Sequence, residues 1–358
     1  MLKDDLDTPS LLVDLDAMER NMKRMAEFAR ECGVNLRPHA KTHKVPEIAK
    51  MQLAAGAKGI CLQKLSEAEV FAERGIDDIF ITNEIVGDQK LKRLADLAVG
   101  KRIGIAADGV EAVRATARAC QERGSELEVY VDVDVGMHRC GVTPEQAVAL
   151  AEEISRQSNL VLKGLMGYEG HVGRGKTREE RARLSRDAMG VISEAKRLIE
   201  RRGIGVEVVS VGSSVSSWTN AAHPDVTEIQ PGMYLFNDGG LVDREVATLD
   251  DCALTVLTTV MSKPSEDRAV VDAGSKAFQW DTGIFPRTRT AGVEMVKFSE
   301  EHGWLRLWDR GSALRVGERL EFIPQHCCTC VNQHEELVGM RGGTVERVFP
   351  IAARGRMT

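Results

Sequence analysis

Residues 127–168 read LEVYVDVDVGMHRCGVTPEQAVALAEEISRQSNLVLKGLMGY. The runs at its two ends, LEVYVDVDV and LVLKGLMGY, are apolar and rich in Val and Leu. Between them Thr143-Pro144-Glu145 opens an amphipathic stretch with a hydroxyl N-cap candidate and a proline in the first turn. Strand, helix and strand in that order predict two parallel strands joined by a crossover helix.

The alternation continues on both sides, from residue 10 to about residue 236. Ala17 to Cys32 places Met18, Met22, Met25, Ala26 and Ala29 at helical spacing and stops at Gly33. NLRPHA (35–40), GICLQ (59–63), DIFITN (78–83), RIGIA (102–106), VEVVSVGSS (206–214) and EIQPGMYLF (228–236) join the first two runs to make eight strands. Eight is the number that closes a (β/α)8 barrel, and the barrel is assigned to residues 1–238. After Gly239-Gly240 the helices stop. ALTVLTTVMS (253–262), RAVVDAG (268–274), WLRLWD (304–309), ERLEFIP (318–324) and GGTVERVFPI (342–351) are strand-like runs separated by turn residues. Residues 239–358 are therefore expected to form a second, mostly β domain, and the fold class is α/β, a TIM-like barrel followed by a β domain.

The 358 residues carry a formal net charge of -6, which argues against an electrostatic grip on nucleic acid. No basic and apolar leader opens the chain, and no run is apolar and long enough to cross a bilayer. A cytoplasmic protein is expected, with a small-molecule partner and neither nucleic acid nor membrane. The eight cysteines, at 32, 61, 120, 140, 252, 327, 328 and 330, are then thiols, most of them small buried side chains.

Arg37-Pro38-His39-Ala40-Lys41-Thr42-His43-Lys44 closes the first barrel strand, the end at which barrel active sites lie. The positive charge around Lys41 favours a neutral, nucleophilic amine, as Schiff-base chemistry requires. A solvated basic loop is the competing reading. Val135-Gly136-Met137-His138-Arg139-Cys140-Gly141 brings Arg139 to the same rim, where its planar fork suits a phenolate or carboxylate, or else a rim salt bridge. Ser210-Val211-Gly212-Ser213-Ser214 and Gln230-Pro231-Gly232-Met233-Tyr234 end the last two strands, where barrels bind phosphate. Glycine there lets the backbone approach an anion.

With Asp7-Thr8-Pro9-Ser10, Gln63-Lys64-Leu65-Ser66-Glu67-Ala68 and Thr82-Asn83-Glu84 in order around the lysine block, nearly the whole chain resembles the D-threonine aldolase and D-serine dehydratase family. That family is related to the alanine racemase N-terminal barrel of fold-type III pyridoxal-phosphate enzymes. The resemblance implies that pyridoxal 5'-phosphate is held as a Schiff base on Lys41, that Arg139 lies near the cofactor phenolic oxygen, and that Tyr168 packs on the pyridine face where racemases carry a histidine. Gln230 matches the position of a racemase arginine that faces the pyridine nitrogen. A neutral amide does not force that nitrogen to stay unprotonated. Gly212, Ser213, Ser214, Gly232 and Met233 match the phosphate cup, Tyr234 borders it, and His39 and Gln63 complete the cofactor-binding set.

Pro324-Gln325-His326-Cys327-Cys328-Thr329-Cys330, with Asn332 and His334 close behind, reads as a metal site. In a strand, His326 and Cys328 point to the same side, and thiolate with imidazole suits zinc better than magnesium or calcium. A closed zinc site that adds Cys330 or His334, or a buried cysteine cluster, competes. The resemblance implies instead that His326 and Cys328 are the family's His-x-Cys or His-x-Asp pair beside the cofactor. It would hold a divalent metal, zinc first, with manganese or magnesium as the other candidates.

The implied activity is that of a lyase, and the implied substrate a small D-β-hydroxy amino acid whose β-oxygen binds the metal. Deprotonating that hydroxyl yields glycine and an aldehyde, as in a D-threonine aldolase. Losing the Cα proton to the freed Lys41 expels hydroxide and leads to a keto acid and ammonia, as in a D-serine dehydratase. Cys328 in place of aspartate leans toward the dehydratase and the run Glu228 to Asp238 toward the aldolase; the aldolase is the first expectation, in a homodimer. A racemase would need a second acid/base, usually a tyrosine of the β domain, yet Tyr130, Tyr168 and Tyr234 all fall in the barrel half. A non-catalytic pyridoxal-phosphate carrier would not require residues beyond 239, and a metal-binding interaction protein would have no use for Lys41.

Overall fold

The eight apolar runs form eight parallel strands: Asn35–Leu36, Ile60–Leu62, Asp78–Glu84, Arg102–Ala107, Leu127–Asp132, Leu160–Gly167, Val208–Val211 and Glu228–Ile229. From the second strand to the last, each pairs with its successor, and the first pairs with the last through Asn35↔Glu228 and Leu36↔Ile229. A parallel bridge between His39 and Cys61 closes the remaining seam, with the Cys61 N–H donating to Pro38 O at 2.9 Å. Through that bridge the two ends of the eight-strand order meet, as in a closed barrel. This computed structural model describes the backbone of all 358 residues and every side chain except that of Ser312.

The crossover that opens at Thr143 shows how local sequence sets an element. Thr143 Oγ1 accepts from the Gln146 N–H at 3.3 Å, and Gln146 Oε1 accepts from the Thr143 N–H at 3.0 Å. These reciprocal bonds satisfy two donors at the start of helix Pro144–Arg156. Ala147, Leu150, Ala151 and Ile154 then bury one face at the helical period.

Cys61, Phe80, Ala106, Tyr130, Met166 and Val208 form an apolar cluster of the barrel, with Phe80 and Tyr130 stacked at 4.1 Å between ring centroids. Arg37, 2% exposed, belongs to the same unit. Its Nε donates to Glu228 Oε2 at 3.0 Å and its Nη1 pairs with Asp78. Gly59 makes room, because a Cβ there would collide with Nη1. Burial opposes the charge on Arg37, but Glu228 and Asp78 outweigh it and hold the guanidinium ionised. This corrects the picture of Lys41 in a solvated or uniformly positive block. Arg37, His39, His43 and Lys44 are all buried, and the charge of Arg37 is compensated by two carboxylates.

The barrel unit comprises Met25–Lys41, Ile48–Gly232 and Arg356–Thr358, and a second unit comprises Met1–Arg24, Thr42–Glu47 and Met233–Gly355. The second holds an eight-stranded sheet in the order Val293–Phe298, Gly303–Leu307, Arg268–Val271, Leu254–Ser265, Ser10–Asp14, Glu336–Arg341 and Thr344–Pro350, with Arg319–Phe322 also pairing Leu254–Ser265. Ser10–Asp14 runs antiparallel to Leu254–Ser265 through Leu12↔Thr255 and parallel to Glu336–Arg341 through Leu12↔Val338. Leu6, Leu12, Leu257, Val338 and Met340 pack as one cluster of this unit. The expected boundary at residue 238 is therefore corrected at the N-terminus, since a strand followed by a helix looks the same whichever sheet it joins. Tyr234, assigned to the barrel half, also falls in the second unit, where it is buried.

Candidate functional site

Four strand ends of the barrel bring together Lys41, Gln63, Arg139 and Tyr168. Lys41 ends the barrel segment that follows strand Asn35–Leu36, and its Nζ donates to Gln63 Oε1 at 3.2 Å. Gln63 is itself held, because its Nε2 donates to Thr82 O at 3.0 Å and its backbone N–H to Glu67 Oε2 at 2.9 Å. His39 Nε2 meets Thr82 Oγ1 at 2.8 Å, which turns the imidazole toward the same strand. Tyr168 follows strand Leu160–Gly167; Lys41 Nζ lies 5.8 Å and Arg139 Cζ 5.0 Å from its ring centroid. Two cations near one aromatic ring mark an electrostatic platform.

The strand Val208–Val211 ends at Gly212, whose φ of +105° and lack of a side chain are both needed, since a Cβ would stand 2.6 Å from Ser217 Oγ. Ser217 Oγ is buried without a hydrogen-bond partner among the described residues. Ser213 N–H and Ser216 Oγ meet at 2.9 Å, which folds the loop into a tight turn that also contains Ser214. Glu169, fully buried, ties this loop to the end of the previous strand, accepting from Gly212 N–H at 3.3 Å, from Asn220 Nδ2 at 2.8 Å and from Ser216 Oγ. Burial pushes the Glu169 carboxyl up despite these donors. On the last strand, Gln230 Nε2 donates to Ser210 Oγ at 2.7 Å, and Ser210 Oγ donates to Glu228 Oε1 at 2.6 Å. Gln230 is thus fixed through Glu228 to the buried Arg37. Gly232 is the last residue of this barrel segment, whereas Met233 begins the last segment of the second unit, in the short helix Met233–Leu235, which contains Tyr234.

An acidic group adjoins Arg139. Glu84, Asp108 and Cys140 bring ligand-type atoms within 4.8 Å of one another, and Asp132, 5% exposed, interacts with both carboxylates. Burial first and Glu84 second push the Asp132 carboxyl up to about 8, with Arg139 opposing.

In the second unit His326 and Cys328 do come together, but not on a strand. Cys327–Val331 is a short helix with His326 as its N-cap, in extended conformation at φ -139° and ψ 106°. The expected strand geometry is corrected; the pair meets because an extended residue precedes the first helical turn. The Cys328 thiol lies within hydrogen-bonding reach of the His326 ring and of the Cys327 thiol, and it donates to Thr42 Oγ1 at 3.3 Å. The Cys327 contact, with His326 and Thr42 and against the effect of burial, holds the Cys328 thiol well below its usual range. Burial works against protonation of His326, but Cys328 and Asp281 outweigh it and raise the imidazole to about 10. Asp281 Oδ2 meets His326 Nδ1 at 2.5 Å. Cys330 Sγ and His334 Nε2 both turn to Ala277 O, at 3.4 and 2.8 Å, so these bonds draw them to one backbone carbonyl.

Glu169, Ser217 and Asp281 escaped the reading of sequence. A glutamate directly after Tyr168 was the available signal for Glu169, while Ser217 and Asp281 carry no motif.

The family described as "Alanine racemase, N-terminal domain" matches residues 13–239, and that described as "Putative serine dehydratase domain" matches residues 253–340. A D-threonine aldolase of Arthrobacter sp is 39% identical over 353 residues, covering 98% of this chain and 93% of the relative. A 3-hydroxy-D-aspartate aldolase of Paracoccus denitrificans (strain Pd 1222) is 36% identical over 366 residues, covering 99% and 94%. Among solved structures, that of D-threonine aldolase from Filomicrobium marinum has a TM-score of 0.96 at 36% identity and covers 100% of this chain and 99% of that one.

Proposed function

This chain belongs to the D-threonine aldolase and D-serine dehydratase family, built on the alanine racemase N-terminal barrel, and is a lyase; from that premise we propose that it cleaves small D-β-hydroxy-α-amino acids, first of all D-threonine to glycine and acetaldehyde. In this reading it is a cytoplasmic homodimer with pyridoxal 5'-phosphate on Lys41 and a divalent metal on His326 and Cys328. The observation that carries the reading is the convergence of Lys41, Gln63 and Arg139 on and around the Tyr168 ring.

The barrel residues fit such a cofactor. Ser217 Oγ is a buried hydroxyl with no hydrogen-bond partner among the described residues, beside a position where only glycine is accommodated, as a phosphate cradle requires. Tyr168 offers a flat face for a pyridine ring, Arg139 a charged fork for its phenolic oxygen, and Gln230 a neutral amide held in place by Ser210. The donor set of the second unit fits a metal. Cys328 is biased to thiolate, and His326, with Nδ1 engaged by Asp281, keeps Nε2 for a ligand. Zinc suits this pair best, ahead of manganese and magnesium.

When bound, the cofactor supplies an electron sink for charge developing at Cα, and the metal a Lewis acid for the β-oxygen. The protein's own part is positional. Gln63 accepts from Lys41 Nζ and so aims the amine; once substrate takes its place, Lys41 can hold or move a proton at Nζ. Arg139 and Tyr168 would hold the cofactor ring in place and so orient the substrate joined to it.

A second reading, D-serine dehydratase, is favoured by Cys328 and by the serine dehydratase description that matches residues 253–340. One product assay on D-threonine separates the two. Glycine and acetaldehyde are expected; 2-oxobutyrate and ammonia as main products would replace the aldolase with the dehydratase. Borohydride reduction followed by peptide mapping should place the pyridoxyl group on Lys41, and finding it on Lys44 or Lys64 would sink the cofactor assignment.

A further inference from the structure

We propose that Asp281 is a positioning residue for the metal pair, its carboxylate fixing the His326 ring so that Nε2 is the nitrogen offered to the ion. This rests on the reading of His326 and Cys328 as metal ligands. Asp281 Oδ2 stands 2.5 Å from His326 Nδ1, and its other oxygen, Oδ1, accepts from Thr329 Oγ1 at 3.0 Å. Thr329 Oγ1 also lies 3.3 Å from His326 O, so carboxylate, imidazole and hydroxyl form a closed ring of contacts around one side chain.

The chemistry follows from the tautomer. A neutral imidazole carries one N–H; with Nδ1–H committed to a carboxylate, the lone pair sits on Nε2, and the carboxylate increases its basicity as a ligand. Cys328, the other ligand in that reading, follows in the first turn of the helix Cys327–Val331 that His326 caps.

The segment that carries Asp281 is itself held. Trp280 packs against Phe285 at 4.2 Å and against Phe298 at 5.4 Å between ring centroids, and Phe278 stacks on Phe298 at 5.6 Å. Asp281 therefore approaches His326 from an aromatic shelf, and its carboxylate is anchored at both oxygens.

The test measures metal affinity directly. Mn2+ is titrated into the cofactor-loaded, chelator-treated protein, and the free ion is read by electron paramagnetic resonance. Asp281→Asn, which keeps the shape and removes the charge, should weaken Mn2+ binding about 10- to 100-fold while the cofactor absorbance band and the melting temperature stay at wild-type values. Thr329→Val should weaken it less, and Asp281→Glu should recover part of the loss. His326→Ala and Cys328→Ala serve as the reference for a site with a missing ligand. If these two lose Mn2+ and Asp281→Asn keeps the wild-type dissociation constant, the positioning role is overturned and the metal pair stands. If they bind Mn2+ as the wild type does, the metal pair falls and the role of Asp281 with it.

Discussion

The barrel contains two polar clusters that both draw a carboxylate from strand Asp78–Glu84 yet are built on opposite principles. Around Arg37, two carboxylates compensate one cation, Gly59 opens the space, and Ser210 donates to the remaining oxygen of Glu228. Around Asp132, carboxyls of like charge crowd a buried acid, and Arg139, the nearby cation, is exposed at the rim. The first arrangement is complete and holds structure. The second is short of positive charge beside the residues proposed to bind the cofactor. Buried charge supports a fold when it is paired and is open to chemistry when it is not.

The comparison predicts that rim substitutions affect turnover and interior substitutions affect stability. Lys41→Ala gives the largest effect: loss of turnover of D-threonine, with a melting temperature close to wild type. A melt that drops together with activity would show that Lys41 belongs to the structural class instead. Arg37→Met comes next. It strands Glu228 in the interior, while the half-buried Asp78 keeps Arg102 at 3.4 Å, and breaking a buried pair costs about 3–5 kcal/mol, to be read from urea midpoints. Unchanged stability would mean that the interior cluster is not what its burial suggests. Gly59→Ala is milder, because its methyl group forces Arg37 aside, at about 1–3 kcal/mol in the same assay.

The smallest and most conditional effect is at Asp132. Its folded pKa lies above the ordinary carboxylate range, so its favourable contribution is full below about pH 4 and is lost as pH rises through about 8. Asp132→Asn should therefore raise the melting temperature relative to wild type near pH 9 and leave it alone near pH 4. An equal shift at both pH values would mean that no proton is held there.

All eight barrel strands were legible because each is a short apolar run bounded by a helical pattern, and pairing with the next such run is the default of a parallel sheet. Ser10–Asp14 was not, because its partners, Leu254–Ser265 and Glu336–Arg341, lie more than 240 residues away and nothing local names them. Val293–Phe298 and Glu336–Arg341 were also missed; the second has four consecutive buried residues, Leu337 to Met340, and lacks the alternation that marks a strand with one wet face. Near the lysine, the motif led to Lys41, Gln63, Arg139 and Tyr168, which the fold brings together, yet it misjudged Arg37 by reading charge without its counter-ions.

The amino-acid order alone determined the barrel's strand count and succession, the positions of the chemistry-bearing residues at strand ends, and the nearness of His326 to Cys328, because periodicity and spacing act over a few residues. Only the tertiary structure decided which sheet takes the N-terminal strand, that Arg37 is neutralised while Asp132 is crowded, that Cys330 and His334 turn to Ala277, and that Asp281 reaches His326 across 45 positions of chain. Each of these depends on which distant groups share a low-dielectric space, and electrostatic and hydrogen-bond energies follow distance in space rather than distance along the chain.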